Sequence, residues 1–426
     1  MSFGYVYNWK DRLVSRPKER EIIRGWIAKR LTALLPSLMK REGIDMWIVA
    51  ARECNEDPVI ESLTGSQMAR RQTILVFYQR PDETVEAMNI SRYSIDVPGV
   101  YKDVWDPESG EDQWKCLARI VKERDPRVIG LNTSRVSAFA DGLSYTQHRM
   151  ISEALGPDYE TRFRSAEGLV VGFLETRIPE EMEAYPGLLE ITHGLIAEAF
   201  SSRVIHPGVT TAGEALKWFN SQLPVFGCGY VKIQRRGVIP PATGSDQDFG
   251  ELRDAVIRPG DVLRCDCGLR HLGLHTDVQQ NAYVLRPGET DAPQGLKDAM
   301  AKANRLQDIL AQEFVEGRTG NEILAIARAK AIEEGIKPCI YAHAIGNHDH
   351  GAGMFVGMWD QQDGVPGVGD HRLHKNTCYA FELNISAPVP EWDGQEVTIA
   401  LEEDVFFDGK TVTYINGRQT KFHLIR

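Results

Sequence analysis

The segment Gly260–Leu285, GDVLRCDCGLRHLGLHTDVQQNAYVL, constrains this chain more than any other, because it sets two aspartates inside apolar, β-rich sequence. Two strand-like runs flank Arg270–Gly273, which predicts an antiparallel hairpin. With Arg270 opposite Gly273, Asp266 stands opposite Asp277 on the same face. Directly opposed Cβ atoms lie only about 5 Å apart. Two carboxylates that close repel unless one is protonated or a cation lies between them. Packing alone gives an apolar strand no reason to hold both.

Two further acids occupy similar settings: Glu382 within CYAFEL (Cys378–Leu383) and Glu402 within VTIALEEDVFF (Val397–Phe407). Glutamate is depleted from strands and is almost never buried without a partner. Between these pairs, IYAHAIGNHDHGAGMFVGMWD (Ile340–Asp360) gathers His343, His348 and His350 among glycines. The glycines let backbone approach a site closely, and clustered imidazoles serve as ligands or proton carriers. Four carboxylates and one imidazole from this cluster would balance two divalent cations. Oxygen-rich donors with one nitrogen suit Mn²⁺, Co²⁺, Fe²⁺ or Zn²⁺. Cys265-Asp266-Cys267 has no second cysteine pair to complete a tetrahedral thiolate site.

At 426 residues the chain is long enough for two domains, and its apolar content of 42% builds full-sized cores. A net charge of −11 without a Lys/Arg-rich stretch argues against nucleic acid or anionic membranes as partners. The first residues show no apolar stretch after a basic one, no apolar run approaches a membrane span, and the seven cysteines lack framework spacing. The expectation is therefore a cytoplasmic protein with reduced thiols.

Residues 17–42 carry a helical apolar pattern with a kink or break at Pro36. Strand-like runs follow at Asp45–Ala50, Thr73–Tyr78, Thr84–Asn89 and Arg127–Leu131, then a helical stretch at Leu143–Leu155. Strands interleaved with helices predict an α/β domain over residues 1–165 and a second domain over 166–426. The second opens with a long helix, Pro179–Phe200. Within it, VIHPGVTTAGEAL (Val204–Leu216) and VEGRTGNEIL (Val315–Leu324) each place a Gly-x-Thr turn before a helix start bearing Glu. That faint repeat suggests two related αβ halves.

The order Asp266, Asp277, His, Glu382, Glu402 resembles the pita-bread metallopeptidase family, which includes methionine aminopeptidase, proline-specific aminopeptidase, prolidase and the metal-free creatinase. The likeness covers about residues 165–426. The preceding α/β domain looks like the N-terminal domain of the prolidase and creatinase branch. The resemblance implies an α/β, two-domain protein with a pita-bread catalytic domain and two divalent metal ions. Asp266 would chelate one ion, Asp277 and Glu402 would bridge both, and His343 and Glu382 would complete the other. His350, beyond the Ile345-Gly346 pair, would contact substrate and stabilise the tetrahedral intermediate, and Glu382 would shuttle a proton. A homodimer acting on small peptides is implied as well, with Xaa-Pro dipeptidase or aminopeptidase activity through a metal-bridging hydroxide.

Three departures touch the substrate shell. The family places a histidine upstream of the first Asp ligand, whereas Val231–Arg264 contains none. Val278-Gln279-Gln280 follows Asp277 where many members carry Thr and Arg, and Ala400 stands where many carry Arg. His348 is a candidate for a rewritten substrate shell. Two other readings use the same scaffold: a creatinase-like hydrolase of a non-peptide C–N bond, and a catalytically silent protein-binding scaffold.

Overall fold

A computed structural model describes residues 9–222, 226–238 and 254–426. The first eight residues, the Cys228 side chain and residues 239–253 of the histidine-free stretch lie outside the described residues. The chain forms two compact units: Ser15–Glu180, and Glu181–Arg426 together with the N-terminal segment up to Val14.

In the first unit, six strands lie in one sheet: β1 (Met46–Arg52), β2 (Gln72–Gln79), β3 (Val85–Ser91), β4 (Tyr101–Asp103), β5 (Ile129–Leu131) and β6 (Phe163–Ser165). Their order is β4-β3-β2-β1-β5-β6. β1 runs antiparallel to β2 and parallel to β5, so the sheet is mixed. Ile48, Ile74, Val76 and Met88 pack against Leu117, Ile120 and Val121 of helix Gln113–Arg124. Asp112 caps that helix by accepting from the Trp114 and Lys115 amides. The chain does not break at Pro36 but stays helical from Arg16 to Glu42. Pro36 cannot donate an N–H, and the chain passes through a π-turn over Arg30–Leu34 before Leu35–Glu42 resumes as α-helix. The unit extends beyond residue 165, where sequence suggested a boundary, because helix Glu167–Glu175 buries Leu169, Val170, Phe173 and Leu174 within it.

Among the described residues the second unit carries three sheets. A four-stranded sheet contains β7 (Phe226–Gln234), β8 (Val262–His271), β9 (Leu274–Val284) and, parallel to β9, β18 (His423–Ile425). A five-stranded sheet has the order β12-β11-β13-β16-β17, formed by β11 (Ala342–Ile345), β12 (Phe355–Val356), β13 (Thr377–Ala380), β16 (Asp404–Phe407) and β17 (Val412–Tyr414). A third sheet comprises β10 (Pro338–Ile340), β14 (Leu383–Val389) and β15 (Gln395–Leu401).

Two apolar cores flank these sheets. Helices Pro179–Ala199 and Ala212–Gln222 bury Leu195 and Phe219 against Leu263, Cys265, Cys267, Leu269, Val278 and Ala282. Helices Gln294–Glu313 and Gly320–Glu333 bury Met300, Leu310 and Ile323 against Tyr379, Phe381, Leu383, Leu401 and Val405. The faint repeat has a structural basis. Thr211 and Glu214 bond each other's backbone at the start of the second helix, and Thr319 and Glu322 form the same capping box at the fourth. Among the described residues no helix is long and apolar enough to cross a membrane.

Candidate metal centre

Alternation along β8 separates its two faces. Leu263, Cys265, Cys267 and Leu269 point into the helix-backed core, so Cys265 and Cys267 face away from Asp266. Arg264, Asp266, Gly268 and Arg270 share the opposite face. The expected hairpin forms, but its register differs from the sequence reading. Gly268 pairs with Asp277, and Asp266 pairs with Gln279. The turn is Leu272-Gly273, with φ of +55° and +72°, closed by His271 opposite Leu274. A two-residue loop that matches strand twist needs positive φ at both positions, which draws Gly273 into the loop instead of beside it. Asp266 and Asp277 are therefore diagonal neighbours on one face, not opposed residues.

The other sheets deliver the remaining groups. β11 carries His343 between Phe355 of β12 and Ala380 of β13. Glu382 lies just past β13, and Glu402 lies between β15 and β16. The Glu402 backbone exchanges both hydrogen bonds with Gln279 of β9, tying the sheets together at the site. Three overlapping ligand groups result: Asp266, Asp277 and Glu402; His343, Glu382 and Glu402; and Asp277, His343 and His350. Within each group one ligand atom per residue lies within 4.8 Å of the others. Asp266, Asp277, His343, Glu382, Glu402 and His350 thus converge. His348 belongs to none of these groups and is half-buried on the Gly346–Gly351 turn.

The donor set fits divalent cations. His343 Nδ1 lies 3.2 Å from the Ala344 carbonyl, which can only accept, so Nδ1 carries the proton and Nε2 presents a lone pair. That Nε2 sits 3.6 Å from Glu402 Oε1 and 3.7 Å from Asp277 Oδ2. Both His343 Nε2 and Glu402 Oε1 are buried, and neither has a hydrogen-bond partner among the described residues. Native interiors rarely leave such atoms unsatisfied, and a cation between them is the simplest remedy.

Charge points the same way. Burial, then the charges of Glu402 and Asp266, push the Asp277 carboxyl well above its ordinary range. Burial and then Glu402 do the same to Glu382, and burial and then Asp266 to Glu402. Burial raises Asp266 and lowers His343. Without cations this cluster must take up protons, and divalent ions relieve the same repulsion.

Sequence reasoning passed over several groups here. Gln279 donates from Nε2 to Glu402 Oε2 at 2.8 Å and also to Glu382, fixing two carboxylates at once. Its place two residues beyond Asp277, on the same strand face, was the available signal. Asp404 is buried and accepts from the Asp277 amide at 3.3 Å. Burial, then Glu402, raises its pKa well above the usual value. Asp349 lies beside Gly268, where an added Cβ would come within 3.7 Å of its Oδ1.

The profile of metallopeptidase family M24 matches residues 188–408. Among solved structures, the X-Pro aminopeptidase of Thermotoga maritima aligns with a TM-score of 0.61 at 19% identity, covering 90% of this chain and 99% of that one. The Xaa-Pro dipeptidase of Bacillus anthracis aligns at 0.56 and 16% identity, covering 97% of this chain and 100% of that one. The dipeptidase PepE of Mycobacterium ulcerans aligns at 0.58 and 15%, covering 94% and 98%. No curated protein matches the sequence.

Proposed function

We propose, from the premise that this chain belongs to metallopeptidase family M24, that it hydrolyses Xaa-Pro bonds of short peptides. A metal-dependent peptidase activity goes with the family, while the Xaa-Pro preference is our own reading. The observation that carries the metal-dependent chemistry is the pair of orphaned atoms, His343 Nε2 and Glu402 Oε1, inside a cluster of four buried or half-buried carboxylates, while the likeness to an X-Pro aminopeptidase and an Xaa-Pro dipeptidase supports the proline preference.

In this reading Asp266, Asp277, His343, Glu382 and Glu402 hold two divalent cations of the Mn, Co, Zn or Fe type. When bound, such ions acidify water and polarise a scissile carbonyl. The protein's own groups do the rest. Gln279 orients Glu382 and Glu402 through its amide, a role that supports ligand geometry. Asp404 fixes the Asp277 backbone. His350 is exposed, with its ring 4.3 Å from that of His343. Partial screening of its ring from water, then His343, depresses its pKa, which favours the neutral imidazole that can donate one N–H to an oxygen gaining charge. Glu382, at the edge of the cluster, is the group we assign to carry a proton to the leaving nitrogen. We assign the Ser15–Glu180 unit to the N-terminal domain of the prolidase and creatinase branch, which the near-complete coverage of both chains supports.

Elemental analysis of purified protein, paired with a panel of Xaa-Pro and non-proline dipeptides before and after chelation, tests the reading. Two ions per chain and chelator-sensitive Xaa-Pro hydrolysis are expected. Full activity after verified removal of metal, or cleavage indifferent to proline, overturns it.

A further inference from the structure

Arg264 lies on the same face of β8 as Asp266, two residues earlier, and is half-buried. Its guanidinium carbon sits 5.1 Å from the centre of the Tyr230 ring. Lys232, opposite Arg264 on β7, places its ammonium 4.7 Å from the same ring. Among the described residues the Arg264 guanidinium forms no hydrogen bond or ion pair.

Three other half-buried arginines of this unit are paired with carboxylates. Arg235 makes two bonds of 2.7 Å to Asp261, Arg418 reaches Asp308 at 2.6 Å, and Arg318 reaches Glu313 at 2.8 Å. A guanidinium drawn partly out of water without a hydrogen-bonded anion is costly. The charges it faces, those of Asp266 and Glu382, belong to the metal cluster. Once cations neutralise that cluster, Arg264 has still less to pair with.

The Tyr230 hydroxyl, under the guanidinium, donates to Gln279 Oε1 at 3.2 Å, and Gln279 in turn holds Glu382 and Glu402. A group bound at Arg264 therefore sits beside the reacting centre. On the other side of Asp266 along the same strand, the Asp349 carboxylate lies near Gly268. The face is thus polar along its length, with a cation before the metal ligands and an anion after them. A free dipeptide is a zwitterion with the matching pair of charged ends.

We infer that Arg264 is the receptor for the free C-terminal carboxylate of the substrate, with the α-ammonium directed toward Asp349. This rests on the peptidase reading above and narrows it to dipeptides. Arg264 is here a positioning residue, whose planar fork suits a carboxylate two oxygens at a time.

The test compares leucyl-proline with leucyl-prolinamide in metal-loaded protein, together with equilibrium binding of L-proline and L-prolinamide, which needs no turnover. The unaltered protein should prefer the acid by about tenfold to a hundredfold, expressed in KM and not in kcat. Arg264→Met should bring the acid-to-amide ratio close to one while metal stoichiometry is retained. Arg264→Lys, which keeps the charge and loses the fork, should recover part of the preference and guards against a folding defect. An acid preference that persists in Arg264→Met overturns the inference and leaves the peptidase reading intact. So does equal use of acid and amide by the unaltered protein. Loss of metal from Arg264→Met also overturns it, since the residue would then serve the cage. If no peptide is cleaved but L-proline binds over L-prolinamide in an Arg264-dependent way, the receptor stands and the peptidase reading fails.

Discussion

Glu402 and Glu403 are neighbours in sequence, both are fully buried, and they solve burial in opposite ways. Glu403 is surrounded by protein donors. His193 Nε2 lies 2.7 Å from its Oε2, Gln280 Nε2 donates to Oε1 at 2.9 Å, and the Gln419 amide donates to the same oxygen at 3.2 Å. Asn416 and His423 extend that network through His193 and Gln280. Glu402 faces the other way, among Asp266, Asp277, His343 and Glu382, and its Oε1 meets no donor among the described residues. One carboxylate belongs to a network satisfied by amides and imidazoles, the other to a network of acceptors. Buried polar groups are stable only when fully partnered, so the second network needs cations where the first needs none.

The largest expected effect comes from neutralising Glu402. Glu402→Gln should lose at least one ion by elemental analysis and lower turnover by more than about 10³-fold, since a metal contributes several kcal/mol of transition-state stabilisation. Retained stoichiometry with normal turnover would break the contrast at its root.

Next in size are the two histidines. His350→Ala should keep its ions and lose about 10² to 10³ in turnover, the usual cost of one transition-state donor. His193→Ala should do the reverse, leaving the rate close to normal while stability falls. If His350→Ala is the variant that sheds metal, the assignment of His343 as the ligand is wrong.

Glu403→Gln replaces an acceptor with a donor inside a saturated network. It should cost about 1–3 kcal/mol in denaturant unfolding, with metal content unchanged. A loss of metal comparable to that of Glu402→Gln would merge the two networks into one.

The smallest effect is a pH slope confined to metal-stripped protein. The raised pKa values of Asp277, Glu382, Glu402 and Asp404 mean that the folded state holds protons which the unfolded state has released. Their contribution is present at acid pH and declines as pH rises from about 4 through the elevated values. His343 and His350, with lowered pKa values, act oppositely, and only below about pH 6.5. Above that pH the carboxylates act alone, so Tm of the chelated protein should fall as pH rises, and added metal should flatten the curve. A chelated protein that gains stability from pH 7 to 9 would contradict the charge state assigned to the cluster.

Much of this site is visible in the chain itself. Acidic residues in apolar strand-like runs are anomalous whatever the fold, because an unpaired buried charge is too costly to keep without function. That anomaly marks Asp266, Asp277, Glu382 and Glu402, and the glycine-rich setting marks His343 and His350. The long helix after Pro179, the hairpin and the alternation of β8 are equally local, since period and turn chemistry act over a few residues.

Other features required the assembled molecule. The hairpin register hung on which residues adopt positive φ, and the aspartates met diagonally as a result. Gln279 reads as an ordinary polar strand residue until the sheets bring Glu382 and Glu402 to its amide. Glu402 and Glu403 are chemically alike and adjacent, and only strand geometry turned one toward His343 and the other toward His193. That Arg264 makes no hydrogen bond or ion pair among the described residues is likewise a statement about what is packed around it. The reason is common to all four. Residue type and period report on a side chain's immediate backbone, whereas its partners come from strands scores of residues away, brought together only when the cores on either side close.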